Sequence, residues 1–222
     1  MKDILFTFFL TFLSLTSFAQ ARPVSNLYLE TRFDYNQESL EGHTVNDNSG
    51  FKGRYLNIRM DGYLSDHLSY SFRHRLNKPI KNAALFDATD WITLSYKTCN
   101  WELSAGKQVV GIGGYEYDGA PIDLYFCSEF WHNIACYQFG ISGAYMTASG
   151  KDKITAQLCE SPFDGLAYNL MWNGSHDFYS SIWSVNMLEY SPGRYMNYIA
   201  LGNKFSFGNF VIDFDFMNRA SS

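Results

Sequence analysis

The sequence is poor in the features that mark several large classes of protein. After its first 21 residues, none of its apolar runs approaches the ~20 residues that a membrane-spanning helix needs. It has no excess of positive charge, because 17 Lys and Arg stand against 22 Asp and Glu, which gives a formal net charge of -5. These absences exclude a helical membrane protein and argue against any nucleic-acid partner.

Cysteine is also scarce, and its spacing is uninformative. Cys99, Cys127, Cys136 and Cys159 match no zinc-binding pattern, so we predict no metal and no cofactor. Cys127 and Cys136 flank one long connection, and a disulfide between them is conceivable in an oxidising compartment. Unpaired thiols are the preferred interpretation, because disulfide connectivity cannot be read from a single sequence.

The N-terminus has the layout of a cleavable export signal. Lys2 precedes an apolar run from Ile4 to Leu15, and small residues follow at Ala19 and Ala21. The run is too short for a membrane anchor, and no stop-transfer pattern follows it. We therefore expect residues 1–19 to be removed, with Ala21 as the alternative cleavage site, and residues 20–222 to form one exported domain.

In the mature sequence, apolar and polar residues alternate with a period of two. In residues 27–33, Leu27, Leu29 and Phe33 alternate with Glu30 and Arg32, which predicts a strand with one apolar face and one polar face. The pattern recurs about eleven times and predicts strands near 26–35, 52–62, 67–76, 92–97, 101–106, 135–147, 153–160, 166–172, 180–188, 196–206 and 209–217. Aromatic residues make up 18% of the chain.

The connections between these strands alternate as well. Short ones are predicted at 65–66, 98–100, 149–151, 173–177 and 207–209, and mostly longer ones at 36–51, 77–89, 108–133, 161–165 and 189–195. Outer-membrane barrels have tight periplasmic turns and longer external loops, and their strands run up and down in sequence order. The sequence therefore predicts an all-β, antiparallel, up-and-down transmembrane barrel that lies among the lipids of a bacterial outer membrane.

Two alternatives bear on this fold class. A soluble β-sandwich or lipocalin-like barrel also alternates, but eleven strands exceed the eight of a lipocalin, and the aromatic residues near strand ends favour membrane girdles. Single-chain bacterial barrels use even numbers of strands, so eleven strands predict an incomplete, truncated barrel. If one strand has been divided in two, ten strands could instead close a small barrel.

The third long connection, residues 108–133, is predicted to be functional. A wide barrel leaves an open channel unless something narrows it, and a long loop bent into the lumen would do so. Gly111, Gly113 and Gly114 permit tight backbone turns. The candidate constriction residues are Tyr115, Glu116, Tyr117, Asp118 and Asp123, although Asp118 and Asp123 could instead cap turns.

Three short motifs and the signal peptide resemble a known family. Gly106-Lys107-Gln108, the stretch from Gly113 to Asp118, Pro121-Ile122-Asp123 and the Ala-Gln junction of the signal are similar to the phosphate-selective porin O and P family of outer-membrane channels. The similarity is specific around residues 104–130. It implies a sixteen-stranded barrel, a homotrimer when full length, and passive diffusion of small anionic or other polar solutes, phosphate among them.

Selectivity for anions requires fixed positive charge along the channel. The candidate pore-lining cations are Arg32, Arg59, Arg73, Arg75, Lys97 and Lys107. The polar faces of the strands also carry Glu30, Asp34, Asp61 and Glu102, so positively and negatively charged side chains face each other. The pattern is compatible with selectivity for anions but does not establish specificity for phosphate.

Catalysis finds little support. The histidines, His43, His67, His74, His132 and His176, fall in no nucleophile elbow, zinc-binding helix or phosphate-binding loop. A Ser-His pair that uses His74 stays open, because such sites are defined by geometry. We predict a passive channel and not an enzyme, and the alternative is a barrel that acts as a hydrolase or an adhesin.

Overall fold

The computed structural model describes residues 24–45, 49–78, 85–119, 128, 131, 134–163 and 165–221. The predicted signal peptide, Cys127, Asp123 and His132 lie outside these residues. The strands are β1 (Val24–Asn36), β2 (Ser39–Leu40), β3 (His43–Thr44), β4 (Gly50–Tyr63), β5 (Leu68–Arg75), β6 (Thr89–Thr98), β7 (Trp101–Val109), β8 (Tyr137–Met146), β9 (Asp152–Glu160), β10 (Leu166–His176), β11 (Tyr179–Ser191), β12 (Arg194–Phe207) and β13 (Phe210–Ser221).

Eleven of these strands form one antiparallel sheet in sequence order. The order is β1-β4-β5-β6-β7-β8-β9-β10-β11-β12-β13, and β2 and β3 form a separate small hairpin. Each neighbour in the sheet is also the next long strand in the chain, so the topology is up-and-down throughout. The predicted all-β class and eleven-strand meander are confirmed. Within the described residues β1 and β13 are the sheet edges, and they do not pair with each other.

Three predicted boundaries need correction. Gly106 was expected to end a strand, but β7 continues to Val109 because glycine accepts the positive φ of 123° at that position. The long third connection therefore begins at Val110 and not at Gln108. The connection near 189–195 is a tight turn at Pro192 and Gly193, where the Glu189 carboxylate accepts the Gly193 N–H at 2.7 Å.

The described helices are single turns, α1 (Leu85–Ala88) and α2 (Tyr115–Asp118). Within the described residues, no helix combines the length and apolar character needed to cross a membrane.

The two faces of the sheet differ as the alternation predicts. Leu29 and Phe33 are 67% and 74% exposed, and the same face carries exposed Leu103, Leu170 and Val185 on later strands. The opposite phase holds buried polar side chains: Asn57, Arg73, Gln108, Gln157, Asn169, Ser184 and Asn186. Because directly opposed residues share a face, the apolar and polar faces are continuous across the strands.

Aromatic rings pair near the two ends of the strands. At the end with the short turns, Trp101 lies 5.0 Å from Tyr145 and Trp172 lies 4.9 Å from Trp183. At the other end, Tyr35 and Phe51 are 5.0 Å apart, and Phe86 and Phe139 are 5.2 Å apart. Bands of this kind flank the apolar belt of membrane barrels.

Of the described cysteines, Cys99 and Cys159 are free thiols, and the conceivable disulfide of Cys136 involves Cys127, which lies outside the described residues.

Candidate functional site

The segment Val110–Asp118, which we call the inward segment, leaves β7 and lies across the polar face of β9 to β13. Its backbone is fixed at successive residues. The Gly111 N–H donates to Gln157 Oε1 at 2.7 Å, and the Gly113 N–H donates to Ser184 Oγ at 2.7 Å. Gly114 donates to the Ile182 carbonyl at 3.0 Å. The segment therefore lies on the polar face and does not extend away from the sheet.

The wall beneath the inward segment is a row of uncharged polar side chains. Ser142, Gln157, Asn169 and Asn186 stand directly opposite one another on β8, β9, β10 and β11. The Asn169 amide donates to Gln157 Oε1 at 3.0 Å, and Asn186 Nδ2 donates to Asn169 Oδ1 at 2.6 Å and to the Gly111 carbonyl at 2.7 Å. A primary amide both donates and accepts, so this row can bind a peptide backbone without carrying net charge.

Glycines allow the inward segment to approach the wall closely. A Cβ on Gly113 would lie 2.7 Å from the carbonyl oxygens of Ala200 and Ile182, which are backbone atoms that cannot easily move. Gly114 adopts φ 106°, and a Cβ on Gly202 in β12 would lie 2.7 Å from the Gly114 Cα. Backbone therefore packs directly on backbone here, and side chains larger than hydrogen do not fit.

The end of the inward segment is held by side chains of β12 and β13. Both oxygens of the Asp215 carboxylate accept backbone N–H groups, from Tyr115 at 3.0 Å and from Glu116 at 2.9 Å. Lys204 Nζ lies 4.2 Å from the centre of the Tyr115 ring. Burial raises the pKa of Tyr115 to about 12, so its hydroxyl stays neutral at physiological pH.

The other predicted constriction residues have distinct surroundings. Tyr117 is buried against Trp131 and donates to the Cys136 carbonyl at 3.1 Å, and burial raises the pKa of its hydroxyl well above the usual range. Glu116 accepts the Ser128 hydroxyl at 2.8 Å, and the Asp118 side chain is exposed. Asp123 lies outside the described residues.

A second, charged wall covers the polar face of β1 and β4 to β6. It contains four of the predicted cations, each of which is paired with a carboxylate. Arg32 Nε lies 2.8 Å from Asp34, Arg59 Nη2 lies 2.8 Å from Asp61, and Arg75 Nε lies 2.7 Å from Asp90. The fourth, Arg73, contacts both Glu30 at 3.1 Å and Asp90 at 3.5 Å.

Aromatic rings support three of these guanidinium groups. Arg59 lies 5.2 Å from the centre of the Tyr28 ring, Arg73 lies 5.0 Å from Trp91, and Arg75 lies 6.0 Å from Tyr137. The side chain of Arg73 is only 9% exposed, whereas that of Arg59 is 39% exposed. Arg73 therefore serves mainly to hold its two carboxylates, and Arg59 presents charge to the space above the wall.

The two predicted lysines lie apart from this group. Lys97, near the end of β6, is paired in register with Glu102 beside a short turn. Lys107 pairs with Ile92, which faces outward, and its Nζ donates to the Phe86 carbonyl at 2.7 Å. Directly opposed residues share a face, so the structure places Lys107 on the apolar side, contrary to its predicted place among the lumen cations.

Sequence reasoning missed the residues that bind the inward segment. Gln157, Asn169, Ser184, Asn186 and Asp215 were not singled out, although each occupies the polar phase of its strand. The available signal was the recurrence of amide side chains in that phase on three consecutive strands. Asp90 was missed because β6 was predicted to begin at residue 92, whereas it begins at Thr89.

His74, the histidine considered for a Ser-His pair, contacts neither a serine nor a carboxylate in the described hydrogen bonds. Its Nδ1 lies 3.0 Å from Thr89 Oγ1, and its ring stacks on Phe72 at 6.1 Å.

Comparison with known proteins gives one match. The family model described as phosphate-selective porin O and P matches residues 26–172, which include the charged wall, the inward segment and most of β10. No curated protein and no solved structure matches the chain.

Proposed function

The chain belongs to the phosphate-selective porin O and P family, whose model matches well over half of its residues, and we propose that it works as an outer-membrane porin for passive diffusion of small polar or anionic solutes. In this proposal the polar face of the sheet lines a water-filled lumen, and the exposed apolar face contacts outer-membrane lipid. Inorganic phosphate is one solute of the proposed class.

The single observation that carries the proposal is the place of the inward segment. A long connection that leaves β7 and lies on the polar face of β9 to β13 occupies space that would otherwise belong to the lumen. We propose that this segment forms the constriction, with Tyr115, Glu116 and Asp118 at its narrow part. Tyr117 is turned into the packed interior and supports the segment from behind.

The proposed lining cations are Arg32, Arg59, Arg73, Arg75 and Lys97, and their charges are largely balanced by carboxylates. A paired cation attracts a passing anion less strongly than a free one. We therefore propose only a modest preference for anions, centred on Arg59 because its side chain is the most exposed of the four arginines of the charged wall.

The same proposal includes export through the periplasm after removal of residues 1–19, insertion in the outer membrane, and assembly as a homotrimer. The N-terminal pattern in the sequence supports the export, and the resemblance to the family supports the outer-membrane location and the trimer as proposals.

Planar-bilayer recording of the full-length barrel, refolded in detergent, tests the channel. We expect discrete conductance steps. For the constriction, Gly113→Val should lower the single-channel conductance, because its side chain would collide with the carbonyls of Ala200 and Ile182 and push the inward segment off the wall into the lumen. The control Gly150→Asn changes a glycine in a short turn with open space around it and a φ of 69° that Asn tolerates.

A folded sample that inserts into the bilayer and carries no current would contradict the channel and favour the adhesin or hydrolase alternative. An unchanged conductance in Gly113→Val would contradict the constriction only.

A further inference from the structure

The strongest contact between the inward segment and the sheet involves a residue beyond the part of the chain that the family model matches. Asp215 lies in the middle of β13, 100 residues after Tyr115, and each of its carboxylate oxygens accepts one backbone N–H of the segment. Hydrogen bonds to an ionised acceptor are stronger than those between neutral groups. The remaining described bonds to the segment's backbone come from uncharged side chains and carbonyls.

Two glycines beside Asp215 make this contact possible. Its cross-strand partner on β12 is Gly202, and the missing side chain there leaves room for the Gly114 backbone. Gly114, with φ 106°, turns the chain so that the next two N–H groups point at the carboxylate. A larger residue at position 202 would separate the two partners. The hydrogen bonds from the inward segment to Asp215 on β13 therefore also require glycine at Gly202 on β12 and at Gly114 in the segment.

We propose that Asp215 is the positioning residue of the constriction: its carboxylate fixes the turn of the inward segment at Tyr115 and Glu116 against β13 and thereby sets the width of the opening. This inference rests on the proposed function, because a width matters only if solutes pass. Without the carboxylate, the segment remains held near Gly111 and Gly113 on one side and by Tyr117 on the other, and only the turn at Tyr115 and Glu116 loses its hydrogen bonds to β13.

Hydrogen-deuterium exchange tests the inference without relying on current. Asp215→Asn keeps the shape of the side chain but replaces one acceptor oxygen with a donor that faces an N–H group. We expect amide exchange in a peptide covering residues 111–118 to become about tenfold faster or more, with exchange in the strands unchanged.

The matched control is Asp213→Asn. Asp213 lies two residues away on the same face of β13, loses the same charge, and pairs with Lys204 at 3.6 Å instead of with the inward segment. Exchange in 111–118 should remain at the wild-type rate in this variant. Equal exchange in wild type, Asp215→Asn and Asp213→Asn would overturn the inference.

Gly202→Ala supplies an independent route if Asp215→Asn does not fold. Its Cβ would lie 2.7 Å from the Gly114 Cα, so it should push the segment away from an intact Asp215 and give the same local increase in exchange. Wild-type rates in this variant would count against the inference.

Single-channel recording then separates the two proposals. If wild type conducts, Asp215→Asn should show noisier openings of a different size, and Asp213→Asn should show wild-type openings. If wild type carries no current but the difference in exchange is present, the channel proposal fails, and Asp215 still fixes the inward segment to β13 but sets no opening. If wild type conducts and exchange in 111–118 is the same in all variants, the channel proposal stands and the positioning role of Asp215 fails.

Discussion

The two walls of the polar face differ in their side chains and in what those side chains bind. The charged wall, on β1 and β4 to β6, pairs arginines with carboxylates on the same strand or on nearby strands. The neutral wall, on β8 to β11, is a row of Ser, Gln and Asn side chains that binds the inward segment. A peptide backbone offers both donors and acceptors, and amides match both without adding charge.

The difference shows why the inward segment lies where it does. Arginines and carboxylates can donate to and accept from a peptide, but on the charged wall they could do so only by breaking their own ion pairs. The neutral wall has no such competition, because its amides already point toward the segment. Three substitutions test whether the two walls have these separate roles, and the most damaging of them falls on the charged wall.

Asp90→Ala should destabilise the protein by about 3–5 kcal/mol, because it leaves buried Arg73 and half-buried Arg75 without their shared carboxylate. Unfolding in urea, followed by tryptophan fluorescence in detergent micelles, would measure the change. Asp177→Ala is the control, since Asp177 is 89% exposed and its pair with Lys151 should contribute little. Equal losses in the two variants would show that the charged wall has no special role in stability.

Asn186→Ala should cost about 1–3 kcal/mol, less than the loss of a buried charge, because it removes donors from the Gly111 carbonyl and from Asn169. The same unfolding measurement applies. Asn197→Ala, at an exposed position on the neighbouring strand β12, serves as the control. If both asparagines tolerate alanine equally well, the amide row does not hold the inward segment.

Arg59→Glu should change stability least, because Arg59 is partly exposed and its ion pairs are screened by solvent. Its expected effect is on selectivity, with the reversal potential in a salt gradient moving toward that of a cation-preferring channel. Lys151→Glu makes the same change of charge in a short turn away from the polar face. A shift of equal size in both variants would mean that general surface charge, and not the lining, governs ion preference.

Much of the fold could be predicted from the sequence because a strand has a local signature. The alternation of Leu27, Leu29 and Phe33 with Glu30 and Arg32 depends only on neighbours two residues apart, and the structure keeps this assignment of faces. Lys107 shows the limit of judging by charge: its own alternation with Leu103 and Ala105 places it on the apolar side, and the structure agrees with the alternation.

Local sequence predicts where the strands lie, their up-and-down order and which face of each is polar, because a period of two and the turns between strands are short-range properties of the chain. Which polar residues meet depends on the tertiary structure. The Asp215 contact joins residues 100 positions apart, and the contact from Gly113 to Ser184 spans 71. No local sequence pattern predicts such pairs. They form only because the inward segment crosses strands that lie close to it in space and far from it along the chain.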